Sequence, residues 1–235
     1  MRGMNSVNDI RKFFIDELHD GMQGEEVFEV DKYGGKTIEM LAASFIADEP
    51  AIFGTPNDQY INAEIAWYES QSTNVFDLAD MFATPENEEP DPPAAWMMTS
   101  NDYGEINSNY GHLIYANKYF DQYENALSEL RKNPEGRRAT MIYNRPSIWV
   151  EFDENGKSDF ICTNAVTYYI RNNELQSVVQ MRSNDVIFGY KNDYAWQRYV
   201  MKKLADELGI EAGFMHWQVQ NLHLYEKHFH LVDKV

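Results

Sequence analysis

Apolar residues recur at helical spacing near the start of the chain. Ile10, Phe13, Phe14 and Leu18 predict a helix over Ser6 to Gly21, with Gly21 as its stop. Asn57 is a good N-cap, and the spacing of Ile61, Ile65 and Tyr68 predicts a second helix. Glu64 lies beside that apolar face, an unusual place for a carboxylate. Phe120, Tyr123, Leu127 and Leu130 predict a third helix over Asn117 to Lys132, ended by Asn133-Pro134.

Strand character dominates next. Ala139 to Tyr143 and Ile148 to Phe152 are β-rich, and Asp153-Glu154-Asn155-Gly156 signals a hairpin turn. Val166 to Arg171 and Leu175 to Met181 flank a second turn, Asn172-Asn173-Glu174. A long helix is predicted from Asp193 to Leu208 with Gly209 as its stop, then strand-like sequence from Phe214 to Tyr225. Thr84 to Pro93 is an acidic, proline-rich surface loop, and no internal repeat is visible. A chain of 235 residues suits one large α/β domain or two small ones, and a single domain, 1–235, is expected.

No apolar run approaches the roughly 20 residues needed to span a membrane. The first residues lack the apolar stretch of a signal peptide, so a cytoplasmic protein is expected. The formal net charge of −18 repels a phosphate polymer, which argues against nucleic-acid binding. Small anionic ligands remain compatible wherever the few basic residues converge. A single cysteine, Cys162, excludes an internal disulfide and is either an inert core residue or a reactive thiol.

Arg137-Arg138 in a short turn and Arg182-Ser183 at a strand end have the forked donors that grip a phosphate, although surface ion pairs use the same residues. His223, His228 and His230 cluster without an established metal-ligand spacing or a cysteine partner, so no metal is expected. No phosphate-cradling glycine loop and no G-x-S-x-G motif is present.

Together, Asn133-Pro134-Glu135-Gly136-Arg137-Arg138, Cys162, Arg182-Ser183-Asn184-Asp185 with Gly189, and His223-Leu224-Tyr225 resemble the thymidylate synthase superfamily in order and spacing. The resemblance runs from Asp31 to about His228. Lys36 to Glu39, Ala43 to Pro50, Gly104 to Gly111, Arg182 to Gly189 and Asn192 to Gln197 are similar to the branch whose bacteriophage members hydroxymethylate deoxycytidylate.

That resemblance implies a large mixed sheet flanked by helices, in a homodimer joined sheet to sheet. It implies Cys162 as the nucleophile that adds to C6 of a pyrimidine nucleotide, with 5,10-methylenetetrahydrofolate as co-substrate. Lys32, Arg182 and Ser183 match phosphate ligands, and Arg137 and Arg138 match a pair reaching the partner subunit's nucleotide. Glu64 matches the glutamate that organises water and proton transfers, and Tyr110 a tyrosine associated with removal of the C5 proton. Asp185 matches the acid that orders the pterin, while His223 and Tyr225 match the ligands of the deoxyribose 3′-hydroxyl. Thr163 and Asn164 follow the cysteine where synthases usually carry His, a departure that agrees with the hydroxymethylating branch.

Asp193 stands where synthases acting on dUMP carry Asn. A carboxylate accepts from the 4-amino group of cytosine, whereas an amide can serve the N3–H and O4 of uracil. Capping of the following helix is the structural alternative for Asp193. The expected reaction converts dCMP, the folate and water to 5-hydroxymethyl-dCMP and tetrahydrofolate, for modified phage DNA precursors. Two other readings share most of these residues: a reductive dCMP or dUMP methyltransferase releasing dihydrofolate, and a non-catalytic nucleotide-binding relative. Synthases continue past the position of Val235 with a tail that closes over the folate, so closure is expected to come from elsewhere or to be looser.

Overall fold

The computed structural model describes residues 5–31, 34–84 and 87–234. The elements that position the functional residues are helix α1 (Val7–Met22), strand β1 (Lys36–Ile46), and helices α2 (Asp58–Ser70), α3 (Tyr110–Tyr115) and α4 (Gln122–Lys132). Strands β2 (Thr163–Arg171) and β3 (Glu174–Asp185), helix α5 (Gly189–Leu208) and strand β4 (Glu211–Tyr225) follow. The chain divides into two compact units, Met1–Pro56 with Thr167–Val235, and Asn57–Val166.

The first unit is built on a mixed sheet. β1 runs antiparallel to β4, and β4 runs parallel to β3. A parallel pair needs a crossover, and α5 supplies it. Its buried stripe, including Trp196, Val200, Met201 and Leu204, follows helical spacing, and Gly209 closes it at φ +69°. Asn172 and Asn173 both take positive φ, as the two-residue turn between β2 and β3 requires. α1 begins at a capping box formed by Ser6 and Asp9, and buries Val7, Ile10, Phe14 and Leu18.

The second unit is mainly helical. Asn57 caps α2 by accepting from the backbone N–H of Tyr60, as the sequence indicates. The buried face of α2 consists of Ala63, Glu64, Trp67 and Tyr68. Gly111 allows α3 to meet this helix: a Cβ there would lie 1.7 Å from the Tyr68 carbonyl oxygen. Only glycine fits such an approach.

Several boundaries differ from the pattern reading. Ile148–Glu151 is a helical turn instead of a strand, and Trp149 and Val150 are exposed; their β propensity yields where no neighbouring strand pairs with them. Glu154–Gly156 is a 3-10 turn and not a hairpin. The third helix starts at Gln122, because Phe120 and Asp121 both take positive φ, and Phe120 is 82% exposed instead of inward. α1 passes through Gly21, where a Cβ would collide with the Phe28 ring, so this glycine serves packing and not termination. α5 starts at Gly189, four residues before Asp193, which rules out the capping role for that aspartate. Among the described residues, no helix is long and apolar enough to cross a membrane.

Candidate active site

In the sheet unit, strand register brings polar residues into rows. Glu39 pairs with His223, which on its other side pairs with Asp185; Thr37 pairs with Tyr225, and Asn221 with Ser183. Directly opposed residues share a face of a sheet. The result is a cavity of about 400 Å³ whose lining includes Thr37, Glu39, Arg182, Ser183, His223 and Tyr225. Asp31 also lines it, while its neighbour Lys32 lies outside the described residues. Four of the residues expected to hold phosphate and sugar are therefore brought together.

The cavity lining carries both signs of charge, Asp31 and Glu39 with Arg182. Burial holds the His223 imidazole below its usual range, against the pull of Asp185, Asn221 and Glu39, so it is neutral at pH 7. Its Nδ1 faces the Asn221 side-chain oxygen at 3.2 Å, and Asn221 donates to Glu39 at 2.8 Å. Arg182 and Ser183 supply cationic and hydroxyl donors.

Asp185 sits at the start of α5. Backbone N–H groups of Phe188 and Gly189 donate to its Oδ2 at 2.7 and 2.9 Å, and that of Ile187 to its Oδ1 at 3.2 Å. Burial alone would raise the pKa of this carboxyl, but His228, 3.9 Å away, and these three N–H groups outweigh burial and hold it below its ordinary range. It stays ionised, as helix N-termini favour.

Asp193, on the first turns of α5, accepts from Asn184 Nδ2 at 2.8 Å. The Asn184 oxygen in turn accepts from the indole N–H of buried Trp217 at 3.2 Å.

The helical unit carries Glu64, Tyr110 and Cys162. Glu64 is 5% exposed, and burial pushes its carboxyl up to about 7 despite hydrogen bonds that lower it. Those bonds come from the Tyr60 hydroxyl at 2.7 Å and the Trp96 indole at 3.2 Å, both to Oε1; Trp96 also donates to the Tyr60 oxygen at 3.0 Å. Tyr110 is buried, stacked on Tyr68 and edge-on to Tyr143.

Cys162 is partly buried, its Sγ 3.8 Å from the Phe160 carbonyl oxygen. Asp159, three residues earlier, is buried and accepts from the backbone N–H groups of Asn107 and Ser108 and from the Ser108 hydroxyl. Next to them, fully buried Asn109 donates to the carbonyls of Trp67 and Ser72 and caps α3. Hydrogen bonds thus tie the segment before the cysteine to the stretch Asn107 to Asn109, and Asn109 in turn to the helix that carries Glu64.

Arg137 and Arg138 are exposed, and Arg138 pairs with Glu129 at 3.0 Å, the surface ion pairing that arginines in turns commonly make. Sequence reasoning missed Tyr60, Trp96, Asp159, Asn109 and Asn184. Tyr60 had a readable signal, since it lies four residues before Glu64 on one helix face. Among the described residues, no three His, Cys, Asp or Glu side chains gather as a metal site.

The Thymidylate synthase family model matches residues 57–235. The deoxycytidylate 5-hydroxymethyltransferases of Enterobacteria phages T4, T2 and T6 are each 46% identical over 224 residues, which is 92% of this chain and 87% of theirs. Thymidylate synthase of Fusobacterium nucleatum is 28% identical over 136 residues, 56% of this chain and 47% of that protein. In fold, the crystal structure of thymidylate synthase from T4 phage matches with a TM-score of 0.74 at 19% identity, covering 96% of this chain and 79% of that one. On this evidence, with the match spanning most of its length, the chain belongs to the thymidylate synthase family.

Proposed function

We propose that the chain is a dCMP 5-hydroxymethyltransferase that converts dCMP, 5,10-methylenetetrahydrofolate and water to 5-hydroxymethyl-dCMP and tetrahydrofolate, with the full chain as its catalytic domain. The observation that carries this reading is the 46% identity to phage deoxycytidylate 5-hydroxymethyltransferases across 92% of the chain.

The phosphate belongs at Arg182 and Ser183, with Lys32 and, in a homodimer, Arg137 and Arg138 of the partner subunit completing its neutralisation. His223 and Tyr225 hold the 3′-hydroxyl. Asp193, held as a hydrogen-bond acceptor by Asn184, receives the 4-amino group of cytosine. The Cys162 thiolate bonds to C6, which makes C5 nucleophilic. Folate, as co-substrate, supplies the one-carbon unit to C5 and departs as tetrahydrofolate, which leaves an exocyclic methylene on C5.

The site's residues fit a pterin. Asp185 is an ionised acceptor suited to an amino-pyrimidinone edge, and the Phe188 ring beside it is 46% exposed. Tyr110 assists departure of the C5 proton. Glu64, with its carboxyl near 7, accepts a proton from the water that adds to the exocyclic methylene on C5. Breaking the C6–S bond then frees the product and regenerates Cys162.

Release of the C5 hydrogen of labelled dCMP into water, dependent on folate, tests the reading. Cys162→Ser is expected to reduce it by more than about 10³-fold. Unchanged release in that variant would refute the nucleophile.

A further inference from the structure

The pair of bonds joining Trp217, Asn184 and Asp193 fixes more than position. An indole N–H can only donate. Trp217 is fully buried and Asn184 is 3% exposed, so neither can turn to water for a partner. The atom of Asn184 facing the indole must therefore be its oxygen, because the opposite orientation would set an amide NH₂ against an N–H. With the oxygen committed, Nδ2 points at Asp193 Oδ2, which must accept.

We propose that Asn184 is a positioning residue for base choice: anchored by Trp217, it dictates which atom type residue 193 presents to the pyrimidine. This rests on the reading of Asp193 as the base-selecting group. With Asp at 193, both carboxylate oxygens are acceptors, as the 4-amino group of cytosine requires. With Asn at 193, only the amide oxygen can accept from Asn184, so that oxygen takes the place of Oδ2. The NH₂ then stands where Oδ1 stood, a donor suited to O4 of uracil and opposed to the amino group of cytosine. The clamp turns a one-atom change into an inversion of polarity. Without it, an amide at 193 could turn either way and the inversion would blur.

Gly189 belongs to the same arrangement. A Cβ at that position would lie 3.1 Å from Asn184 Nδ2, closer than ordinary contact, and 3.4 Å from Asp185 Cβ. Glycine there leaves the amide room to sit against Asp193.

The test is the ratio of kcat/KM for dCMP to that for dUMP, read by C5-hydrogen release, in the wild type, Asp193→Asn, Asn184→Leu and the double variant. Leucine matches asparagine in bulk without a hydrogen bond. Asp193→Asn is expected to invert the ratio. Asn184→Leu is expected to shrink the wild-type ratio by roughly tenfold, about one lost hydrogen bond's discrimination, and the double variant to lose most of the inversion. A purely structural role would lower both substrates together and leave the ratios intact.

If Asp193→Asn alone leaves the ratio unchanged, the reading of Asp193 is wrong and the inference falls with it. If it inverts the ratio while Asn184→Leu alters neither background, the inference alone is overturned. Should Asn184→Leu fail to fold, Gly189→Ala presses on the same amide; compressed ratios are expected, and intact ratios overturn the proposal.

Discussion

Glu64 and Asp185 are both carboxylates taken largely out of water, yet burial wins at one and loses at the other. Glu64 meets two neutral side-chain donors on a single oxygen, and its carboxyl rises to about 7. Asp185 meets three backbone N–H groups at a helix start with His228 nearby, and its carboxyl falls below the ordinary range. Asp185 is the less deeply buried of the two, with its side chain 16% exposed, and its donors differ in kind and number. A group near 7 can exchange a proton during turnover, whereas one held ionised serves as a fixed acceptor.

The largest effect should come from removing Glu64, the group proposed to exchange a proton with water. Glu64→Gln is expected to lower kcat for the hydroxymethyl product by about 10²–10⁴-fold. Because the base form is needed, the wild-type rate should rise with pH through about 7, and this limb should vanish in the variant. A limb that persists in Glu64→Gln belongs to another group.

Stability should depend on pH with opposite sign at the two carboxylates. Glu64 has a raised folded pKa, so its contribution is fully present below about 4.5 and is lost as pH rises through about 7. The shift corresponds to roughly 3 kcal/mol. Glu64→Gln should therefore unfold at higher urea than wild type at pH 8, and the difference should close at pH 5. Asp185 has a depressed folded pKa, so its contribution is present above the ordinary Asp value and is lost as pH falls through the folded one. Asp185→Asn should cost about 2 kcal/mol at pH 7, with the gap narrowing in acid. Urea midpoints moving in the same direction for both variants would break the contrast.

The smallest effect sharpens the first. The Tyr60 bond lowers the Glu64 carboxyl, so Tyr60→Phe should move the activity limb to higher pH while costing about 1 kcal/mol of stability. A limb that stays in place would mean that Tyr60 only packs.

Much of the frame was legible where local chemistry decides it. Ser6 and Asn57 cap helices as their type and position indicate, and Asn172-Asn173 turns a hairpin with the expected positive φ. β1 was not legible. Its run from Lys36 to Ile46 lacks regular alternation, since Thr37 and Ile38 are both buried, Leu41 is 70% exposed and Ala42 takes φ +56°. Its strand identity comes from pairing with β4 at the far end of the chain. In the site, the residues proposed for the chemistry came from the family resemblance, and their settings could not be read from the sequence. Trp96 reaches Glu64 from 32 residues away, and Trp217 reaches Asn184 from 33. Such donors decide protonation and orientation, and folding alone brings them there.

The most direct test is the identity of the product. Purified protein incubated with dCMP and 5,10-methylenetetrahydrofolate should yield 5-hydroxymethyl-dCMP by mass, with the added oxygen drawn from ¹⁸O-labelled water and no dihydrofolate formed. A product carrying a methyl group, accompanied by dihydrofolate, would contradict the account.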